Sequence, residues 1–281
     1  MFMSKKRFVS LVLILSLVIM SGQVSMAKDK SVGASLVYTA IGDAIALGVG
    51  GEYNSVSDPL KGYDDYLIEN LKDKYPQDDI ILHNVAGRID TSSDLLNKLM
   101  YDKTVISAVA NADIITVSIG ANNLILPVWP IFEQIFSGDI SPEKGVYEIF
   151  GKTAEFQAGV NQFKQDWPKI VEQLKVLSPN AQIFATTMYN PFTLDNPLYN
   201  LADAYINQIN AEIQDKSFQH DYKVADVYSD FYKYESKAYK KGYDKNYTPL
   251  IHQDLPDPDV VHPTPLGYQR ICDLIKIKKI K

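Results

Sequence analysis

The run Ile114-Ile115-Thr116-Val117-Ser118-Ile119, stopped by Gly120-Ala121-Asn122-Asn123, decides the fold. It carries no charged residue and is rich in β-branched side chains, so it reads as a fully buried strand. Working outward, further strand-like runs occupy residues 36–41, 80–82, 183–188 and 223–227. Between them apolar residues recur at helical spacing. Tyr63, Tyr66, Leu67 and Leu71 form one such set, and Leu95, Leu96 and Leu99 form another behind Thr91-Ser92-Ser93-Asp94, whose hydroxyls and carboxylate suit a helix N-terminus. Further helices are expected over roughly 142–177, with Pro168 breaking that region in two, and over 198–213 and 265–275. Strands alternating with helices predict a parallel sheet of about five strands covered on both faces, a three-layer α/β/α sandwich of flavodoxin-like type. In such sheets ligands bind beyond the carboxyl ends of the strands.

Composition narrows the class. Apolar residues make up 46% and charged residues 22% of the 281, as in an ordinary globular protein. Lys5, Lys6 and Arg7, then a largely apolar run over 8–20, then Ser25-Met26-Ala27 predict a secretory signal peptide over residues 1–27, cleaved near Ala27. That apolar run is 13 residues long, short of the roughly 18–20 that span a bilayer, and no stable membrane span is expected. Removing the segment takes away three positive charges and no acid, so the net charge of −6 becomes −9. An acidic exported protein repels phosphates, which argues against a nucleic-acid partner. The single cysteine, Cys272, cannot form an internal disulfide. Residues 28–281 show no repeat or linker and read as one domain.

Four segments fall at or near the predicted strand ends. They are Ile41-Gly42-Asp43-Ala44 after the first strand, Asn84-Val85-Ala86-Gly87-Arg88-Ile89-Asp90-Thr91 after the second, Gly120-Ala121-Asn122-Asn123 after the third, and Asp259-Val260-Val261-His262-Pro263 ahead of the last helix. In this order they resemble the blocks of the GDSL/SGNH hydrolase family: Gly-Asp-Ser, a glycine, Gly-x-Asn-Asp and Asp-x-x-His. Each motif alone is weak; four in order at the right elements make the signal specific. The resemblance implies a serine ester hydrolase acting through an acyl-enzyme on lipids, short acyl esters or acetylated glycans, with no cofactor and no metal. It implies His262 as base, Asp259 as the group that orients it, and Asn122 as an oxyanion donor. A backbone N–H at position 44 would be a second donor, and Gly87 is the candidate for a third. Taken alone, Asp259 and His262 read as a solvated loop and Asn122 as a turn residue.

Three departures qualify the resemblance. Ala44 stands where the family has its nucleophilic serine, and a methyl group cannot attack a carbonyl. The expected oxyanion glycine aligns nearer Arg88 or Ile89 than Gly87, and Asn123 replaces an aspartate. Ala44 admits two readings: a Ser→Ala change made in an otherwise intact enzyme, or a natural protein that binds an acylated glycan or lipid without cutting it. No other serine is assigned to the pocket from the sequence.

His252, Asp254, Asp257, Asp259 and His262 are metal-ligand types, but their spacing fits no metal signature and Pro256 and Pro258 make a rigid loop. Gly48-Val49-Gly50-Gly51 lacks the Gly-Lys-Ser/Thr of a phosphate loop. Residues 124–136, with Trp129, Phe132 and Phe136, read equally as a lid, an acyl-chain wall or a buried helix. The tyrosines from Tyr228 to Tyr247 read as a helix face and loop in preference to a sugar-stacking surface.

Overall fold

Five short β-branched and aliphatic runs form the strands of the computed structural model, which describes residues 35–51, 61–243, 247–252 and 261–280. The expected signal segment, residues 1–27, lies outside them. In chain order the elements are β1 (Ser35–Gly42), α1 (Ala44–Leu47), α2 (Tyr63–Lys74), β2 (Asp79–Asn84), α3 (Ser92–Tyr101), α4 (Lys103–Ala110), β3 (Ile114–Ser118), α5 (Ala121–Ile125), α6 (Trp129–Ser137), α7 (Pro142–Phe150), α8 (Thr153–Leu177), β4 (Gln182–Thr186), α9 (Tyr199–His220), β5 (Lys223–Ala225), α10 (Val227–Lys240) and α11 (Pro265–Leu274). All strand pairings are parallel and the strand order is β2-β1-β3-β4-β5.

The period of two along each strand sends alternate side chains to opposite cores. Ile41, Ile115, Val117, Ile183 and Ala185 join a core with Leu95 and Leu99 of α3, Phe163 and Trp167 of α8, and Ile206 and Ile209 of α9. Leu36, Tyr38, Ala40, Ile114 and Phe184 pack on the other face against Tyr63 and Leu67 of α2, Phe231 of α10, and Tyr268 and Ile271 of α11. The result is the predicted three-layer sandwich. Most buried polar atoms find partners, as burial requires, although among the described residues Tyr66 Oη and one Asp64 oxygen do not. Tyr38 Oη and Tyr63 Oη lie 2.8 and 3.2 Å from Thr116 Oγ1, and Trp167 Nε1 donates to Tyr222 Oη at 2.9 Å.

Pro168 corrects one expectation. It sits inside α8, which runs unbroken over Thr153–Leu177. The break falls earlier, where the chain leaves α7 at Gly151 and Lys152. Proline removes one backbone donor, but the flanking Trp167, Ile170, Val171 and Leu174 are all buried and hold the helix against the sheet. Packing outweighs the local penalty. Among the described residues no helix is long and apolar enough to cross a membrane.

The strand order places the topological switch point between β1 and β3. From β1 the chain goes first to β2 on one side, then to β3 on the other. Loops leaving these two strands diverge and open a crevice. Ala44 follows one strand and Asn122 follows the other.

Candidate active site

The end of β1 requires glycine. Gly42 has φ +129, and a Cβ there would sit 1.8 Å from the carbonyl oxygen of Ser118 on β3. That close approach lets Asp43 N–H donate to the same oxygen at 2.8 Å. Asp43 then caps α1: its carboxylate accepts the Ile45 N–H at 3.1 Å and also the Ala121 N–H from the β3 loop. One carboxylate thus joins the first and third blocks. Burial pushes Asp43 up to about 7, the two N–H donors offsetting only part of the desolvation. Ala44, the first residue of α1, is held directly beyond this cap. The sequence signal for this role is an acid standing immediately before a short helix.

The second block is a tight turn. Gly87 N–H donates to Gly42 O at 2.9 Å, and Asp90 N–H donates to Gly87 O at 3.0 Å. A Cβ on Gly87 would meet the Asp90 carboxylate at 2.3 Å, and that carboxylate is ion-paired with Lys98. The Gly87 amide is therefore engaged in extending the β1–β2 ladder and does not point a donor into the crevice. The turn presents Arg88 and Ile89 there instead.

Asn122 is buried and fastened to this turn. Its Nδ2 donates to Asp90 O at 2.9 Å and to Arg88 O at 3.3 Å. Asn123 faces away: its Oδ1 accepts the Ser92 N–H at 3.0 Å and its Nδ2 donates to Ser92 Oγ at 2.9 Å. An amide serves both Ser92 groups, a donor and an acceptor, which an ionised aspartate would not.

His262 is placed by a two-stranded clip. Ile251 and Pro263 form an antiparallel bridge, His252 N–H donates to His262 O at 3.0 Å, and Thr264 N–H donates to Leu250 O at 2.9 Å. Tyr189 Oη donates to Val261 O at 2.6 Å, and Thr264 caps α11 through the Gly267 N–H at 3.3 Å. Asp259, with Asp254 and Asp257, lies outside the described residues. His252 is occupied elsewhere, its Nε2 lying 2.8 Å from Gly50 O. The Gly48–Gly51 stretch serves this contact and ends α1, Gly48 adopting φ +82 as the C-cap.

Ala44, Asn122 and His262 line one cavity of about 490 Å3. Asp43 and Arg88 border it too. So does Ser118, which the sequence reading did not assign to the pocket. Ser118 stands opposite Gly42 in the β1–β3 register, a neighbour visible only once the strands are paired. The remaining wall is mostly apolar. Leu124, Trp129 and Phe132 come from the 124–136 stretch, which is thus a cavity wall built on α5 and α6; Phe156 comes from α8, and Leu201 and Ile206 come from α9. The tyrosines of α10 lie on helix and loop, as expected, with hydroxyls held by acids: Tyr228 on Asp203 at 2.7 Å, Tyr243 and Tyr247 on Glu235 at 2.6 Å each.

Known proteins resemble this chain in sequence and in fold. The chain is 26% identical over 190 residues to the uncharacterized protein YpmR of Bacillus subtilis, a match covering 67% of this chain and 62% of that protein. It is 24% identical over 244 residues to the spore germination lipase LipC of Bacillus licheniformis, covering 86% of this chain and 95% of that one. Among solved structures, the lipase Lip_vut3 from a goat rumen metagenome superposes with a TM-score of 0.59 at 22% identity, over 85% of this chain and 95% of that chain. The sequence model that matches residues 40–270 takes in the Gly42, Asn122 and His262 segments together, and by that match the chain belongs to the GDSL-like lipase/acylhydrolase family.

Proposed function

We propose that this cavity is the site of a secreted serine ester hydrolase whose nucleophile position is occupied by Ala44, so that the chain as it stands is nearly inert on carboxylic esters. The observation that carries the reading is the shared cavity of Ala44, Asn122 and His262 at the switch point. With serine at 44, its Oγ attacks the ester carbonyl carbon while His262 takes the hydroxyl proton. The tetrahedral oxyanion is met by the N–H of residue 44, the Asn122 amide and the main-chain N–H of Arg88. Collapse expels the alcohol, which receives the proton from His262, and leaves an acyl-serine. Water, deprotonated by His262, releases the carboxylic acid and restores the serine. Asp259 orients His262 throughout. Residues 1–27 direct export and are cleaved near Ala27, which places the substrate outside the cell.

The test is Ala44→Ser. Loss of a triad nucleophile costs on the order of 10⁶ in turnover, with roughly 10³–10⁴ over water remaining from binding and oxyanion donors. Restoring serine is expected to raise hydrolysis of para-nitrophenyl esters at least about a thousandfold. A further His262→Ala change is expected to abolish the gain. A folded Ala44→Ser protein that stays inert across acyl lengths refutes the enzyme reading.

One observation favours a second reading, a protein that binds an acylated glycan or lipid without cutting it. The Gly87 amide is engaged by Gly42 O, and Asn122 Nδ2 by two carbonyls, so the oxyanion donors are partly committed to the scaffold. Inert Ala44→Ser protein together with retained ligand binding selects it.

A further inference from the structure

The cavity is far larger than the acyl-transfer chemistry requires. At about 30 Å3, the share of one water in the liquid and close to the size of a methylene, 490 Å3 holds on the order of sixteen such groups. An acetyl group extends only one methyl beyond the reacting carbonyl. The rest of the space would then be water against carbon, an unfavourable filling for apolar walls.

The polar groups along the wall are turned away from it. Thr187 Oγ1 donates to Asp226 at 3.1 Å and accepts the Tyr228 N–H at 2.9 Å. Thr186 Oγ1 is directed at Val117 O at 3.4 Å. Tyr205, which lines the cavity, sends its hydroxyl outward to Thr153 O at 3.3 Å and so contributes its ring. What remains polar is the group around Ala44: Asp43, Arg88, Ser118, Asn122 and His262. A sugar would find few hydrogen-bond partners beyond that group; a hydrocarbon needs none. The exposed rim is apolar as well. Ile89, Leu126 and Trp129 all line the cavity, yet they are 68%, 38% and 36% exposed. Solvent-facing carbon at a cavity entrance suits a ligand that arrives from an apolar phase.

We propose that the cavity seats one long unbranched acyl chain, its carboxyl carbon beside Ala44 and its methylenes along Leu124, Phe132, Phe156, Leu201 and Ile206. The substrate class is therefore an ester of a long-chain fatty acid, and the leaving group stays outside. This assignment of ester class rests on the hydrolase reading above; the seating of the chain itself does not, because binding needs no serine.

The experiment measures displacement of cis-parinaric acid from the unaltered chain by saturated fatty acids of four to eighteen carbons, each below its micellar concentration. Each buried methylene tightens binding by up to about fourfold. Dissociation constants are expected to fall at least about 100-fold between six and fourteen carbons and then level off near sixteen, where the cavity is full. Ala202→Phe puts a ring into the same space and is expected to move the plateau down by roughly three carbons. Leu201→Trp adds about two methylene volumes from the preceding residue and is expected to move the plateau down by roughly two carbons, should the first variant unfold. An affinity that is flat with chain length, or a plateau that neither variant moves, overturns the proposal. The two readings separate on the Ala44→Ser protein. Hydrolysis fastest on acetate and falling with chain length overturns the long-chain site while sustaining the hydrolase. Length-dependent binding with an inert serine variant sustains the site and overturns the hydrolase.

Discussion

Replacing Asp43 by asparagine changes how stability depends on pH, and the size of the change follows from the burial of one carboxyl. Asp43 has its folded pKa pushed up to about 7 from 3.8. A carboxyl raised in this way holds its proton in the folded state while the unfolded chain has already released it. Its stabilising contribution is complete below about pH 3.8 and is lost as pH rises through about 7. Over the whole window the loss is on the order of 4 kcal/mol, of which about 2.5 kcal/mol falls between pH 5 and pH 8. Asparagine cannot ionise, so Asp43→Asn removes this slope. It also weakens the cap, because one amide oxygen replaces two carboxylate oxygens facing the Ile45 and Ala121 N–H groups, at about 1 kcal/mol independent of pH. The variant is therefore expected to be slightly more stable than the parent at pH 5, by under about 1 kcal/mol, and its advantage is expected to widen to about 3 kcal/mol by pH 8. Urea unfolding of both proteins at half-unit steps from pH 5 to pH 8.5 reads the difference through the buried Trp167. Asp64, raised to about 6 mainly by its own burial, titrates in the same direction in both proteins and cancels. A constant offset between the two curves would refute the reasoning, since it would mean that Asp43 is ionised throughout.

Three further outcomes are expected. Gly42→Ala meets both a positive φ and a carbonyl at 1.8 Å, whereas Gly138→Ala meets only φ +80 with nothing within 4 Å. The first is expected to cost about 3–5 kcal/mol and the second about 1 kcal/mol, so similar urea midpoints would remove the proposed β1–β3 clash. In an Ala44→Ser background, Asn122→Ala is expected to lower kcat about 10²–10³-fold with little change in KM. An unchanged kcat would exclude the oxyanion role, provided the unfolding midpoint shows the variant folded. Cys272 is buried and its thiol is pushed up to about 12 by that burial, so Ellman's reagent at pH 8 is expected to leave the native protein unmodified and to label it fully in guanidinium. Rapid native labelling would contradict the packing of α11.

The strands were legible because each is a short apolar run of one period. Residues 114–119, 36–41 and 183–188 each fall within a residue or two of the strand observed. The helix start at Thr91 was legible from its hydroxyl, and its side chain does cap α3. Pro168 was misread because its penalty is local while the packing that overrides it comes from residues in other elements. Helix α4 was not anticipated; its eight residues lie between two stronger signals. At the site, Asn122 and His262 could be picked out from motif order. The engagement of the Gly87 amide could not, because its acceptor, Gly42 O, belongs to another strand 45 positions earlier in the chain.

By itself the sequence determined the alternation of strand and helix, hence a parallel sheet with two covered faces, and the residue types gathered at its carboxyl edge. It also determined that position 44 has no nucleophile, a matter of covalent chemistry that no fold can alter. Only the tertiary structure decided which loops diverge around the switch point, which backbone amides remain available there, and how much space the helices leave beside Ala44. The physical reason is range. Strand and helix patterns reflect interactions among near neighbours and repeat along the chain. A cavity walled by Leu124, Phe156 and Ile206 is set by how three helices, far apart in sequence, fail to close on one another.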